Sequence, residues 1–222
     1  YTLPQSVGAY QQIIAHFDVT CPSVPGGCDD WDRLAWIQFK APNGQWMELI
    51  RYITPYGRAC SHTVDVTDFA SLLQGNIEVR MFIDTYGTGG WKLDLDLEYI
   101  AGTPAFPYTT VREVWQGSFP FGDPANLQHM DTVSLTPSWT ASACALRLVT
   151  TGHGWGDNNS GNAAEFYHAQ HELQVDDAFA YQQDLWTNCS PNPDGCQPQS
   201  GTWQYDRAGW CPGTIPQPGH YD

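Results

Sequence analysis

The chain has 222 residues and a formal net charge of −15, with 9 Lys and Arg against 24 Asp and Glu. No basic face is available for phosphates, which argues against a nucleic-acid partner. No apolar run reaches the length of about 18 residues that a membrane-spanning helix needs, so no membrane role is expected. Only 15% of residues are charged, while Trp and Tyr number 10 and 11, a composition that fits an exported β-sandwich handling sugars better than a cytosolic helical enzyme.

Residues 1–4 show neither a charged nor an apolar leader, so an exported chain would have its signal already removed. Apolar alternation predicts a strand over residues 11–19. Cys21 and Cys28 then bracket a Pro/Gly-rich loop, and Asp29, Asp30, Trp31, Asp32 and Arg33 follow at once. Extended, this stretch puts Asp30 and Asp32 on one face. Like charges held close raise one pKa, as general acid–base work requires. Trp31 and Arg33 bracket Asp32 and single it out. The alternative is a stapled surface turn with solvated acids.

Residues 34–40 predict a second strand, Asn43-Gly44 a hairpin turn, and 45–54 the returning strand. In that strand, Trp46, Glu48, Ile50 and Tyr52 alternate against Met47, Leu49, Arg51 and Ile53. Residues 63–66 predict a short strand. Residues 67–73 read as a helical turn capped by Thr67 or Asp68, with Gly75 past its end. Residues 76–84 and 91–99 alternate again. Asp84-Thr85-Tyr86 closes the first of these strands, at a place where binding residues collect, though a turn-initiating Asp reads the same way.

Gly102-Thr103-Pro104 breaks the pattern and divides the chain into domains 1–103 and 104–222. Beyond it, strands are predicted near residues 109–115, 131–135, 142–151 and 165–175, with a turn-rich loop over 152–162. Glu165 opens the last strand. Residues 188–222 are Pro/Gly/Cys-rich loop. Within them Trp203, Tyr205 and Trp210 offer stacking surfaces for sugar rings, and Arg207 can bind a carbonyl or carboxylate or pair with Asp206. The fold class expected is all-β, with two antiparallel jelly-roll sandwiches.

The seven cysteines are at 21, 28, 60, 144, 189, 196 and 211, without C-x-x-C or zinc-finger spacing. Disulfides in a secreted or periplasmic, oxidising setting account for them better than a metal. The odd count leaves one thiol free, paired outside the chain, or without its partner, and Cys189 or Cys196 could close the last loop through Cys211. His168 and His171 fall on opposite strand faces, which weakens a metal site with His153. Residues 181–186 are the other stretch nearby that reads as helical. No nucleophile elbow supports a Ser/His/Asp triad.

Five stretches, taken together, resemble the peptide-N-glycosidase F family, amidases that remove whole N-glycans. They are Asp18-Val19-Thr20-Cys21-Pro22-Ser23 with Gly27-Cys28-Asp29-Asp30-Trp31-Asp32-Arg33, then Ile53-Thr54-Pro55-Tyr56, Asp65-Val66-Thr67-Asp68-Phe69, Gly102-Thr103-Pro104, and Asp206-Arg207-Ala208-Gly209-Trp210-Cys211-Pro212-Gly213. The resemblance implies two eight-stranded jelly rolls with the active site in the groove between them. It implies Asp32 as main catalytic carboxylate, Glu165 as the second, and Asp84 as a third, where the family has Glu. It implies substrate contacts by Arg33, Trp155 and Arg207, to which Trp31, Tyr86 and Trp210 are added as aromatic neighbours. It also implies the bridges Cys21–Cys28 and Cys189–Cys211, an N-glycoprotein or glycopeptide substrate, and no metal or cofactor.

Ala163 and Tyr167 stand where the family has cysteines beside the second carboxylate. The chain also stops where the family continues through further strands, so a C-terminal fragment completing the second domain is a conceivable partner. Two other classes are weighed. A glycan-binding module of the same fold predicts binding without turnover. A copper monooxygenase shares the two-jelly-roll architecture but needs a His-His or His-x-His pair, which is absent from the sequence.

Overall fold

Alternating apolar residues build the first half of the molecule. The computed structural model describes residues 1–5, 8–120, 125–126, 130–155 and 163–221. Of the loop expected over 152–162, residues 156–162 lie outside these. The chain folds as two compact units. The first is Tyr1–Glu113 with Asp194–Trp203 and Pro212–Ile215, and the second is Val114–Pro193 with Gln204–Cys211 and Pro216–Asp222.

The first unit carries eight strands among the described residues: β1 (Thr2–Leu3), β2 (Tyr10–Thr20), β3 (Leu34–Lys40), β4 (Trp46–Ile53), β5 (Cys60–Asp65), β6 (Gly75–Asn76), β7 (Val79–Ile83) and β8 (Lys92–Ala101). They form antiparallel sheets in the orders β5-β2-β8 and β4-β3-β7, with β1 paired to β6. Ile13, Ala15, Phe17 and Val19 of β2 meet Ala35, Ile37 and Phe39 of β3 in one core. The intervening residues of β2, His16 and Asp18, face water. Burying one face and wetting the other is what a period of two requires.

In β4 the strict alternation fails. Ile37 pairs with Ile50 but Gln38 pairs with Glu48, so Leu49 is an extra residue in a β-bulge. The bulge shifts the phase, and Met47, Leu49, Ile50 and Tyr52 are all buried. The predicted helical turn at 67–73 is a single 3-10 turn, Thr67–Phe69, without side-chain capping by its N-cap Val66. Asp65 accepts the Thr67 N–H at 2.9 Å, and the Thr67 hydroxyl oxygen accepts the Ile13 N–H at 2.9 Å. Thr67 is thus spent on β2 rather than on a cap.

On the outer face of β4-β3-β7 Phe82 stacks on Trp36 at 5.1 Å. The Arg80 guanidinium lies 5.2 Å from the Trp36 ring and 4.3 Å from the Trp46 ring. This column braces β7 just before Asp84.

The second unit has four strands among the described residues: β9 (Leu146–Leu148), β10 (Ala169–Val175), β11 (Ala178–Leu185) and β12 (Gly219–Tyr221). β10 pairs with β11 and β9 with β12. Several expectations are corrected here. Residues 109–115 and 131–135 form no strand, and 142–151 contributes only Leu146–Leu148. The stretch read as possibly helical, 181–186, belongs largely to β11, because Asp176 and Asp177 both take positive φ (52° and 61°) and turn the chain back. The terminal loop yields β12. Glu165 opens no strand; it sits in a 3-10 turn, Ala164–Phe166.

Disulfides join Cys21 to Cys28, Cys60 to Cys196 and Cys189 to Cys211, and Cys144 is an exposed thiol. Three disulfides mark a protein of an oxidising compartment. The bridge closing the last loop is therefore Cys189–Cys211.

Candidate active site

In the first unit the site begins at the Cys21–Cys28 staple. Cys28 bridges to Gly90, and the Asp29 N–H donates to Gly90 O at 3.3 Å. Asp29, one of the three acids of this cluster, is only 4% exposed. Its carboxylate accepts Arg33 Nε at 2.9 Å and Arg33 Nη2 at 3.1 Å, and also the Trp31 N–H at 3.0 Å. A buried carboxylate is tolerable on these terms, with a bidentate cation and an N–H as partners. Asp29 thus orients Arg33, and Asp30 is exposed.

Asp32 is half-buried between two anchored neighbours. The buried Thr54 hydroxyl donates to Trp31 O at 3.2 Å and accepts the Arg33 N–H at 2.8 Å, and the Thr54 N–H donates to Arg33 O at 2.9 Å. The sequence reading assigned Thr54 no role. Its only signal was membership of the Ile53-Thr54-Pro55-Tyr56 stretch.

Asp84 lies beyond the end of β7, its N–H donating to Leu34 O at 3.1 Å. The Tyr86 hydroxyl donates to the Asp84 carboxylate, and the Arg33 guanidinium lies 4.8 Å from the Tyr86 ring. Asp84, Tyr86 and Arg33 therefore form one connected group. The bond to Asp84 and that carboxylate's charge raise the Tyr86 pKa from the ordinary 10.0, with Arg33 pulling the other way. The neutral phenol donates this bond, so the bond holds below the Tyr86 pKa and is lost as pH rises through it. Ultraviolet difference titration against a Tyr86→Phe variant should show Tyr86 ionising above an ordinary tyrosine, and Asp84→Asn should bring it back down. An unchanged titration in Asp84→Asn would refute the pairing.

In the second unit Glu165 is held through its backbone. The Ala208 N–H donates to Glu165 O at 2.8 Å and the Ala164 N–H to Gly154 O at 2.7 Å. Gly152 N–H donates to Ala208 O at 3.0 Å, and a Cβ at Gly152 would fall 2.5 Å from Ala164 O, so only glycine allows this approach.

Arg207 is 1% exposed. Its backbone bridges to Thr187, and its guanidinium lies between the Phe166 ring at 5.2 Å and the Trp210 ring at 5.0 Å. Nη1 donates to Tyr205 O at 2.7 Å, and Nε lies 3.9 Å from Glu165 Oε2. Asp206, expected as the partner of Arg207, accepts the Cys189 N–H at 3.1 Å. Arg207 thus supports the half-exposed Glu165 from beneath.

Trp210, expected as a sugar-stacking surface, is 3% exposed, with His153 stacked on it at 5.0 Å and its Nε1 donating to Gly152 O at 2.7 Å. Of the aromatic residues expected to meet sugar, Trp31, Tyr86, Trp155 and Tyr205 are exposed and Trp203 is half-buried. His153 was read only as a candidate metal ligand and Phe166 was given no role, since nothing local marks them as the ends of a stack around Arg207 and Trp210.

His168 pairs with Asp184 and stacks on Trp186, apart from His153. Among the described residues Cys60, His62 and Cys196 have ligand-like spacing, but both sulfurs are in a disulfide.

Residues 34–99 match the family model for the N-terminal domain of peptide-N-glycosidase F, and residues 123–222 the model for its C-terminal domain. The chain is 34% identical over 231 aligned residues to peptide-N(4)-(N-acetyl-beta-D-glucosaminyl)asparagine amidase F of Elizabethkingia miricola, covering 96% of this chain and 63% of that protein. It thus spans less than two thirds of the length of this relative. The solved structure of PNGase F from Flavobacterium meningosepticum, a glycosylasparaginase, is similar with TM-score 0.82 and 31% identity, over 99% of this chain and 74% of that one. The structure of PNGF-II is similar in fold, with TM-score 0.62 at 16% identity. These likenesses make the fold class all-β of the two-domain jelly-roll type, as the strand patterns anticipated.

Proposed function

Because this chain belongs to the peptide-N-glycosidase F family, we propose that it hydrolyses the amide between an asparagine side chain and the first N-acetylglucosamine of an N-glycoprotein or glycopeptide. The whole glycan leaves as a glycosylamine and the peptide keeps an aspartate. The protein acts as a secreted or periplasmic enzyme. The observation that carries this reading is the pairing of carboxylate with guanidinium in each unit: Asp32 beside an Arg33 clamped by Asp29, and Glu165 above a buried Arg207.

In this reading Asp32 takes a proton from the attacking water. Arg33 stabilises the oxyanion that develops on the amide carbonyl. The proton passes to the departing nitrogen, so one water is consumed and no metal or cofactor enters. Asp84, with Tyr86, and Glu165 hold the sugar or an ordered water, and Trp31 and Trp155 offer open stacking faces. Arg207 and Trp210 act through Glu165 as positioning residues.

The test is incubation of the purified protein with a denatured N-glycoprotein, followed by mass spectrometry of the former glycosylation sites. Asparagine converted to aspartate, with intact glycan in solution, is the expected result. Bound glycan without conversion would replace this reading with the glycan-binding module.

A further inference from the structure

Asp32 carries the proposed chemistry, yet the fold positions it through a residue 22 places downstream. The connection starts at the end of β4. Ile53 pairs with Thr214, its N–H donating to Thr214 O at 3.1 Å while the Gly213 N–H donates to Ile53 O at 2.9 Å. Gly213 has φ +76°, and a Cβ there would meet Cys196 Cβ at 2.8 Å and Pro55 Cβ at 3.0 Å. The backbone of residues 212–215 is therefore seated tightly against Ile53 and Pro55, the two neighbours of Thr54.

Thr54 is 0% exposed and has no freedom to drift. From that fixed place it makes the three bonds to Trp31 and Arg33 described above. They fall on the residues immediately before and after Asp32. The backbone on both sides of the carboxylate is thus tied to one buried side chain and its own amide. Proline follows Thr54, which stiffens the chain further.

We propose that Thr54 is the positioning residue of Asp32, setting the direction of its carboxylate through Trp31 O and the Arg33 N–H, and that residues 212–215 hold Thr54 in place. This rests on the amidase reading above for its catalytic consequence. It also gives the Pro212-Gly213-Thr214 stretch a role within the first unit, as the clamp on Thr54.

The chemistry explains why a hydroxyl is needed. Only an O–H can accept one backbone hydrogen bond and donate another at the same atom. Valine has the same shape and neither capacity. Serine keeps both.

The experiment compares Thr54→Val, Thr54→Ala and Thr54→Ser on a glycopeptide substrate, together with the titration of the Asp32 side-chain carbonyl carbon by NMR. Thr54→Val and Thr54→Ala should lower kcat about 10²-fold with KM little changed, the size expected when a reacting group is displaced by a fraction of its reach. Thr54→Ser should stay near the parent. The Asp32 titration should move in Val and Ala and stay in Ser. If the parent protein proves inactive, the amidase reading falls, but the titration still decides the positioning. An Asp32 titration unmoved in every variant, or kcat retained in Thr54→Val, would overturn it. So would equal loss in Val and Ser.

Discussion

Asp32→Asn should lower the rate of glycan release by about 10³-fold, within the range seen when a positioned acid or base is removed. The amide has the carboxylate's shape but cannot take a proton from water. The surrounding turn should keep its place, because the residues on either side of Asp32 are anchored in their own right. Trp31 and Arg33 are tied to Thr54, and Arg33 to Asp29. The substitution keeps the side chain's size and shape, so folding should change by no more than about 1 kcal/mol. The measurement is single-turnover release from a labelled glycopeptide beside a urea melt. Asp30→Asn serves as the control, since Asp30 is exposed, and it should be silent. Full activity in Asp32→Asn would remove the assignment.

Arg207→Ala should cost the second unit about 3 kcal/mol, because it takes the cation away from Glu165 and empties the space between Phe166 and Trp210. Arg207→Met separates the two losses. An apolar side chain of similar length refills the slot between the rings, and replacing a buried ion with a packed apolar group is often close to neutral. The methionine variant should melt near the parent yet lose activity, since Glu165 no longer has a cation 3.9 Å away. Thermal melts followed by near-ultraviolet circular dichroism would show the difference, as Trp210 sits in the stack. Parent-like activity in Arg207→Met would mean that the guanidinium serves packing alone. Equal destabilisation by Met and Ala would mean that the charge, not the volume, holds the stack.

Both expectations depend on how residues far apart in sequence meet. Within the first unit much was legible in advance. β2, β3 and β8 follow from apolar alternation, because one face must be buried and a strand turns over every residue. The Asn43-Gly44 turn follows from glycine at positive φ, here +86°. The prominence of Asp32 and Arg33 was legible from their neighbours, and the family's motifs pointed to Glu165 and Asp84. The second unit was less legible. Its strands are short and joined by turn-rich segments, and the Asp176-Asp177 turn lacks the glycine that usually announces a reversal. Periodicity therefore ran through residues 109–115 and 131–135 where no strand forms.

The amino-acid order by itself determined the β character, the acidic and aromatic surface, the cysteine supply and the identity of the carboxylates, since each depends on residue type and on spacing along one strand or loop. Only the tertiary structure decided what each acid is for. Asp32 stands out on paper by its neighbours, but nothing local separates Asp29 from Asp30 or says what either does. Burial and a bidentate guanidinium make Asp29 a clamp, exposure leaves Asp30 to solvent, and Thr54 brackets Asp32. Arg207 and Trp210 read as groups that touch a sugar, and burial makes them the support beneath Glu165. Cys60–Cys196 spans 136 residues, and the Ile53 pairing with Thr214 reaches further still. Hydrogen-bond partners and burial are properties of the packed chain, and local pattern carries no record of them.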